Sequence, residues 1–333
     1  MKFSYFMPSI FEGRFATLGT VNWESMLERA KAVEALGYDG IWVGEFVETP
    51  KDTATGFPGE PPNIYAPITL MSALAVSTER LQITSGVFVL PYHDPIVLGR
   101  EMASLDNISA GRIRIGIGLG GEVEDYRRTR QQLGKVNRSQ LLEECVLAMR
   151  ALWNEPKSSF HGSHFSFDNI ESYPKPIQKP MPIHMAGKVD AVYRRIARHA
   201  QGWIEVTFDP QNMKSTVDLL GQYMKEEGRE SETLEISRQF FMSVGKTTEE
   251  AETNKRLAIQ YKAEPVIRKG IAKTASSGHE RTLIGSIDFI RERMHAYAQA
   301  GVTEICVTFF ESDSAAAIRQ LELFASHVMP DFQ

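Results

Sequence analysis

The sequence predicts an α/β protein built as a (β/α)8 TIM barrel, and three observations carry that prediction. Short β-branched or aromatic runs alternate with amphipathic helical segments along all 333 residues. Eight such strand–helix units follow one another, and a helical crossover returns each strand parallel to the last. No glycine-rich fingerprint with a following acid appears after the first strand, so the competing doubly wound sheet lacks its signature. Eight parallel units in a chain of this length fit a closed barrel better than an open sheet.

Residues 2–7 read as the first strand. Trp23, Met26, Leu27, Ala30, Val33 and Leu36 recur at helical steps and define a helix over 23–36. Asn22 is placed to cap it, and Gly37 to end it at a positive φ. The second strand is 39–44, a helix covers about 66–77, and the third strand is 81–89. A helix at 95–106 precedes the fourth strand, 112–118, and a helix over 138–153 ends before Pro156. The fifth strand, 182–187, hands over to a helix at 189–200, and the sixth, 202–208, to one at 210–227. The seventh strand is 234–245; a helix over 285–300 leads to the eighth, 303–310, and a helix near 313–328 closes the chain.

The whole chain, 1–333, reads as a single domain with insertions after strands 2, 4 and 7, at about 47–65, 155–181 and 246–282. Long connections in a compact domain usually serve function. Within the second, residues 160–167 alternate aromatic and polar side chains, which predicts a hairpin. The third is rich in Lys and Glu, ends in Ser276-Ser277-Gly278, and reads as a lid or a surface helix pair.

Composition narrows the function. Hydrophobic residues make up 42% and charged residues 24%, with a formal charge of −5 and no basic run, so nucleic-acid and membrane partners are not expected. The first residues enter a strand without an apolar leader, and no apolar run reaches the roughly 20 residues that span a bilayer; the expected location is cytoplasmic. Cys145 and Cys306 belong to no metal-ligand or CxxC spacing and read as small core residues. No metal site is expected, and GxSxG, HExxH and P-loop patterns are missing.

Barrels of this class carry chemistry at the carboxyl ends of their strands. That rule selects Pro8 and Ser9, Glu45 and Phe46, 85–88, 118–121, 187–189 and Glu311. Gly86 in the third strand and Gly118, Leu119, Gly120 and Gly121 after the fourth remove side chains where a flat ring would approach, or else serve tight turns. Gly187, Lys188 and Val189 close the fifth strand before a helix, whose free N–H groups suit a phosphate. Arg138 offers a bidentate contact from the helix after the fourth strand. His184 reads as a core histidine; His93 lies on the correct rim.

At these residues the sequence resembles the bacterial-luciferase-like superfamily of flavin-dependent monooxygenases and deazaflavin-dependent oxidoreductases. The resemblance runs from Ala35-Leu36-Gly37-Tyr38-Asp39-Gly40-Ile41-Trp42 through Leu105-Asp106-Asn107-Ile108-Ser109-Ala110-Gly111-Arg112 and Tyr173-Pro174-Lys175-Pro176 to Ala300-Gly301-Val302-Thr303-Glu304. It implies a barrel that binds FMN or an 8-hydroxy-5-deazaflavin coenzyme. Gly86 and Val87 would lie under the ring across a non-prolyl cis peptide. Gly118, Leu119 and Gly120 would line its other edge, with Arg138 and Gly187-Lys188-Val189 at the phosphate. It further implies a small organic substrate, a separate flavin reductase if FMN is used, and a homodimer. Relatives commonly carry His after the acid ending strand 2; here the pair is Glu45-Phe46, and phenylalanine donates no proton. Glu45 and His93 are therefore the catalytic candidates. The alternatives are plain hydride transfer, a non-catalytic flavin-binding paralogue, or a barrel of unrelated chemistry.

Overall fold

The computed structural model describes residues 1–47, 62–120, 123–206, 210–259 and 282–332. Eight strands form the barrel wall: β1 (Lys2–Phe6), β2 (Gly40–Val43), β3 (Gln82–Ser85), β5 (Ile113–Gly118), β8 (Ile183–Ala186), β9 (Gly202–Glu205), β10 (Glu235–Gly245) and β12 (Glu304–Phe309). Each pairs in parallel with the next, and β10 meets both β9 and β12, while β12 meets β1. The sheet is therefore closed, and the open doubly wound alternative is excluded.

Local chemistry explains the helices around it. Helix α1 (Trp23–Ala35) starts on a capping box between Asn22 and Ser25, and Gly37 just beyond it has φ +81°. Helix α2 (Pro67–Ser77) and α3 (Pro95–Ile108) both begin on proline, and Asp94 caps α3 through the N–H groups of Ile96 and Val97. Alternate residues of each strand divide between two cores. Ile113, Ile115 and Ile117 of β5 pack outward into the layer shared with the helices. Phe6, Trp42, Ile204, Phe241 and Cys306 pack inward at the barrel mouth. Cys145 and Cys306 are both buried and free.

Three elements depart from the sequence reading. The third strand is broken: a cis peptide joins Gly86 to Val87, and β4 (Phe88–Val89) resumes beyond it against Ile117 and Gly118 of β5. A short helix, α4 (Val123–Thr129), precedes α5 (Arg138–Asn154). Residues Thr282–Ser286, expected to end an insertion and start a helix, form β11, which runs parallel to 241–245 of β10. The reason is length. β10 has 11 residues and overhangs its barrel neighbours, and β11 covers that otherwise unpaired edge.

The hairpin exists as β6 (Ser158–His161) and β7 (Ser166–Ile170), with Phe160 opposite Phe167. After β8 come α6 (Asp190–His199) and α7 (Pro210–Glu226). Of the third insertion, α8 (Thr248–Ala258) is described; residues 260–281, including the expected Ser276-Ser277-Gly278 turn, lie outside the described residues, as do Gly121 and most of the first insertion, 48–61. Helices α9 (Ile287–Gln299) and α10 (Ser314–His327) complete the outer layer. Among the described residues no helix is long and apolar enough to cross a membrane.

Candidate functional site

A cavity of about 130 Å³ lies at the carboxyl end of the barrel strands. Trp42, Val87, Ala186, Ile204 and Val206 give it apolar walls, with Gly86 beside them; Glu205 and Gln239 are its polar lining. The Glu205 carboxylate is already engaged by Arg238, whose guanidinium lies 4.5 Å from the Phe240 and Tyr297 ring centres. Gln239 donates from Nε2 to the Thr308 hydroxyl at 2.8 Å.

The glycines here serve the wall's own packing. A Cβ on Gly86 would stand 2.6 Å from Trp42 Cε3, one on Gly118 2.9 Å from Val87 Cγ2, and one on Gly116 2.0 Å from the Ser85 carbonyl oxygen. Gly116 and Gly118 of β5 thus let Ser85 and Val87 of the broken third strand close against it.

Glu45, just past β2, and His93, just past the turn at Leu90–Tyr92, are brought together. His93 Nε2 lies 3.0 Å from Glu45 Oε1 and 3.1 Å from Oε2. Glu45 Oε2 also accepts the Val89 backbone N–H at 2.6 Å, tying the pair to the strand that resumes after Val87. The His93 ring meets Phe88 edge-on, with centres 5.3 Å apart. Phe46 packs against the inward apolar cluster instead, with the Arg14 guanidinium 6.0 Å from its ring.

Arg138 opens α5 with its guanidinium 4.6 Å above the Tyr126 ring. Tyr126 in turn stacks on Tyr92 (4.6 Å, 9°) and donates its hydroxyl to the Leu119 carbonyl. Burial pushes the Tyr126 hydroxyl up to about 12, so it stays a donor. Arg138 is thereby held beside the 118–120 rim. Gly187 is anchored through its carbonyl by Trp203 Nε1 at 2.9 Å, whereas Lys188 and Val189 are exposed before α6. Among the described residues no side chain caps α6, and Asp190 in its first turn is occupied by Arg194 and Tyr223.

Beneath the cavity is a polar floor that the sequence reading missed. Glu304 Oε1 accepts from Ser4 Oγ (2.6 Å), Trp42 Nε1 (3.0 Å) and Arg114 Nη2 (2.7 Å), and Oε2 from Ser237 Oγ (2.8 Å). Although burial opposes ionisation, Arg114 and these donors hold the Glu304 carboxyl down to about 2. Arg114 also reaches Thr84 and Glu235, and lies 5.5 Å from the Trp42 ring centre. His184 is buried among them, and burial followed by the Arg114 charge pushes its pKa well down. The available signal was period two: Ser4, Arg114, Ser237, Gln239 and Glu304 occupy inward positions that alternate with outward ones, which are mostly apolar, with Arg238 as the charged exception in β10.

Glu12 organises the opposite rim. Its Oε1 accepts the N–H groups of Gly19 (2.8 Å) and Val21 (3.2 Å), and its Oε2 that of Asn63 (2.7 Å).

Comparison with known proteins assigns this architecture. A family model described as luciferase-like monooxygenase matches residues 1–304, and the chain belongs to that family. It is 22% identical over 361 aligned positions to the FMNH(2)-dependent dimethylsulfone monooxygenase of Pseudomonas putida, covering 99% of this chain and 94% of that one. Monooxygenase RslO1 from Streptomyces bottropensis superposes with a TM-score of 0.81 at 21% identity, covering 100% of both chains. An F420-dependent secondary alcohol dehydrogenase does so with a TM-score of 0.79 at 18% identity, over 100% of this chain and 99% of that one.

Proposed function

We propose that this member of the luciferase-like monooxygenase family binds a reduced flavin or deazaflavin, FMN or an 8-hydroxy-5-deazaflavin coenzyme, and acts with it on a small organic substrate at the barrel mouth. The observation that carries this reading is the apolar cavity walled by Trp42, Gly86 and Val87. Its chemistry suits a flat, neutral, largely apolar ring: among the described residues the lining carries one uncharged amide and one carboxylate, which is already paired. At about 130 Å³ it is smaller than the ~300–1,000 Å³ of pockets that enclose a whole ligand. It takes one end of such a ring and leaves the rest in the mouth.

The bound cofactor supplies the hydride or oxygen chemistry. The chain's own residues position it and exclude water. Gly86, Val87, Gly118, Leu119 and Gly120 border the ring. Arg138, fixed over Tyr126, and the Gly187-Lys188-Val189 turn with the uncapped start of α6 meet the phosphate. Glu45 holds His93 through Nε2, which presents Nδ1 as the site where a proton is taken or given. This pair does the work that Phe46 cannot. Reduced FMN would come from a separate reductase, and the working unit is a homodimer. A binding-only role is the second reading, favoured by the apolar packing of Phe46.

Titration of the protein with FMN and with the deazaflavin coenzyme, followed by absorbance and by mass analysis of what is retained, tests this. Binding of one of them, weakened by Arg138→Ala or Lys188→Ala, is expected. Retention of neither, oxidised or reduced, would sink the proposal.

A further inference from the structure

We infer that Gln239 reads the imide edge of the bound ring and so sets which end of it enters the barrel. The inference rests on the cofactor reading above and adds a residue and an orientation to it.

Of the polar groups facing the cavity, two are already committed. The Trp42 N–H goes to Glu304 at 3.0 Å and the Glu205 carboxylate to Arg238. Gln239 differs. It sits mid-strand in β10, opposite Cys306 of β12, on the inward side that also carries Ser237 and Phe241. Its Nε2 is pinned to Thr308 Oγ1 at 2.8 Å, which orients the amide. Its carbonyl oxygen has no protein partner among the described residues, and its surroundings are the apolar walls of Trp42, Ala186 and Ile204. Gln239 is half-buried, so this acceptor faces the open cavity; a flat ring that fills the cavity leaves it unmet unless the ring brings a donor.

Flavins and deazaflavins share one ring edge that fits: a pyrimidinedione whose N3–H lies between two carbonyls. The benzenoid end of FMN has no donor, and the deazaflavin's 8-hydroxyl at that end is an acidic phenol that accepts rather than donates once ionised. Gln239 therefore selects the pyrimidinedione end for the deep position, with its Oε1 accepting N3–H, and the phosphate-bearing chain points back to the rim of Arg138 and Lys188. A formal positive charge or a metal is not needed, since a neutral acceptor matches a neutral donor.

The test is a cycle between ligand and protein. FMN and the deazaflavin coenzyme are each compared with their N3-methyl derivatives, which keep the ring but lose that donor, by fluorescence titration of the wild type and of Gln239→Met. Wild type should prefer the parent ring by roughly ten-fold or more. Gln239→Met should bind the parent more weakly and lose most of that preference. Equal affinity of wild type for parent and N3-methyl rings overturns the inference while leaving cofactor binding intact, and this arm does not depend on the variant folding. A preference that persists undiminished in folded Gln239→Met assigns the recognition elsewhere and also overturns it. If neither parent binds, the cofactor reading falls and this inference with it.

Discussion

Below Trp42 the barrel interior holds Arg114, Glu304, Ser4, Ser237 and His184, joined into one network; above Trp42 it holds Val87, Ala186, Ile204 and Phe241, with Gln239 as the uncharged polar group. Both halves are lined by the same inward positions of the same strands. In the lower half the charges face each other and are consumed. In the upper half the Glu205 carboxylate that borders the cavity is paired with Arg238, leaving a surface that is cheap to desolvate. The difference teaches where to look for a ligand in such a barrel: at the weakly polar end, because the strongly polar end has already bound itself.

The sharpest way to break this comparison is Glu304→Ala. It leaves the buried Arg114 with only the partly exposed Glu235 as counter-charge, so unfolding stability in urea should fall by about 3 kcal/mol. Glu304→Leu combined with Arg114→Leu should recover much of the loss. A fall below about 1 kcal/mol would show that the floor is not a mutually dependent network.

Acid tests the same network without mutation. The Glu304 carboxyl is held at about 2 in the folded chain, against an ordinary 4.5. A depressed carboxylate stabilises the fold above its unfolded value, and that contribution drains away as pH falls from about 4.5 towards 2. The loss should be on the order of 3 kcal/mol. Glu304→Gln should flatten the stability-versus-pH curve in that window, as followed by circular dichroism.

For the upper half, His93→Ala should lower turnover by on the order of 100-fold. Cofactor affinity, measured by fluorescence titration, should stay within about two-fold, because Glu45 keeps its bond to the Val89 N–H. A matching loss of affinity would make the pair structural rather than proton-handling.

The smallest effects separate two glycines of one strand. A methyl on Gly116 meets the Ser85 backbone oxygen at 2.0 Å, which cannot move aside, and Gly116→Ala should cost about 1–3 kcal/mol of stability. A methyl on Gly118 meets the tip of Val87 at 2.9 Å, which can turn, so Gly118→Ala should cost less than about 1 kcal/mol. Thermal unfolding of the two variants side by side checks the order.

The barrel was legible because each strand–helix unit announces itself locally: Asn22 and Asp94 cap their helices, and apolar residues recur at helical or strand period. The break at Gly86–Val87 was reachable through family resemblance, not through propensity, since 81–89 reads as one uninterrupted strand. β11 was missed because Thr282–Ser286 runs directly into the helix at Ile287 and adds a strand outside the eightfold strand–helix alternation; it covers β10. Glu45 and His93 were selected separately by their rim positions, and only the tertiary fold reveals that they touch. Glu304, Arg114 and Gln239 went unread for a different reason. A strand buried on both faces hides its polar residues among apolar ones, and the two-residue period that marks them has to be followed through several strands at once.

One carboxylate at the rim sets how readily this protein's mouth can be rewritten. Glu12 grips the chain on one side at Gly19 and Val21 and on the other at Asn63. The chain at Asn63, just past the 48–61 segment, is therefore held at a fixed post. Lengthening such a segment costs only about 0.6 kcal/mol per doubling. A foreign sequence grafted between Val47 and Pro62 would inherit that anchorage, so the opening can be diversified as a cassette while the strands beneath keep their register.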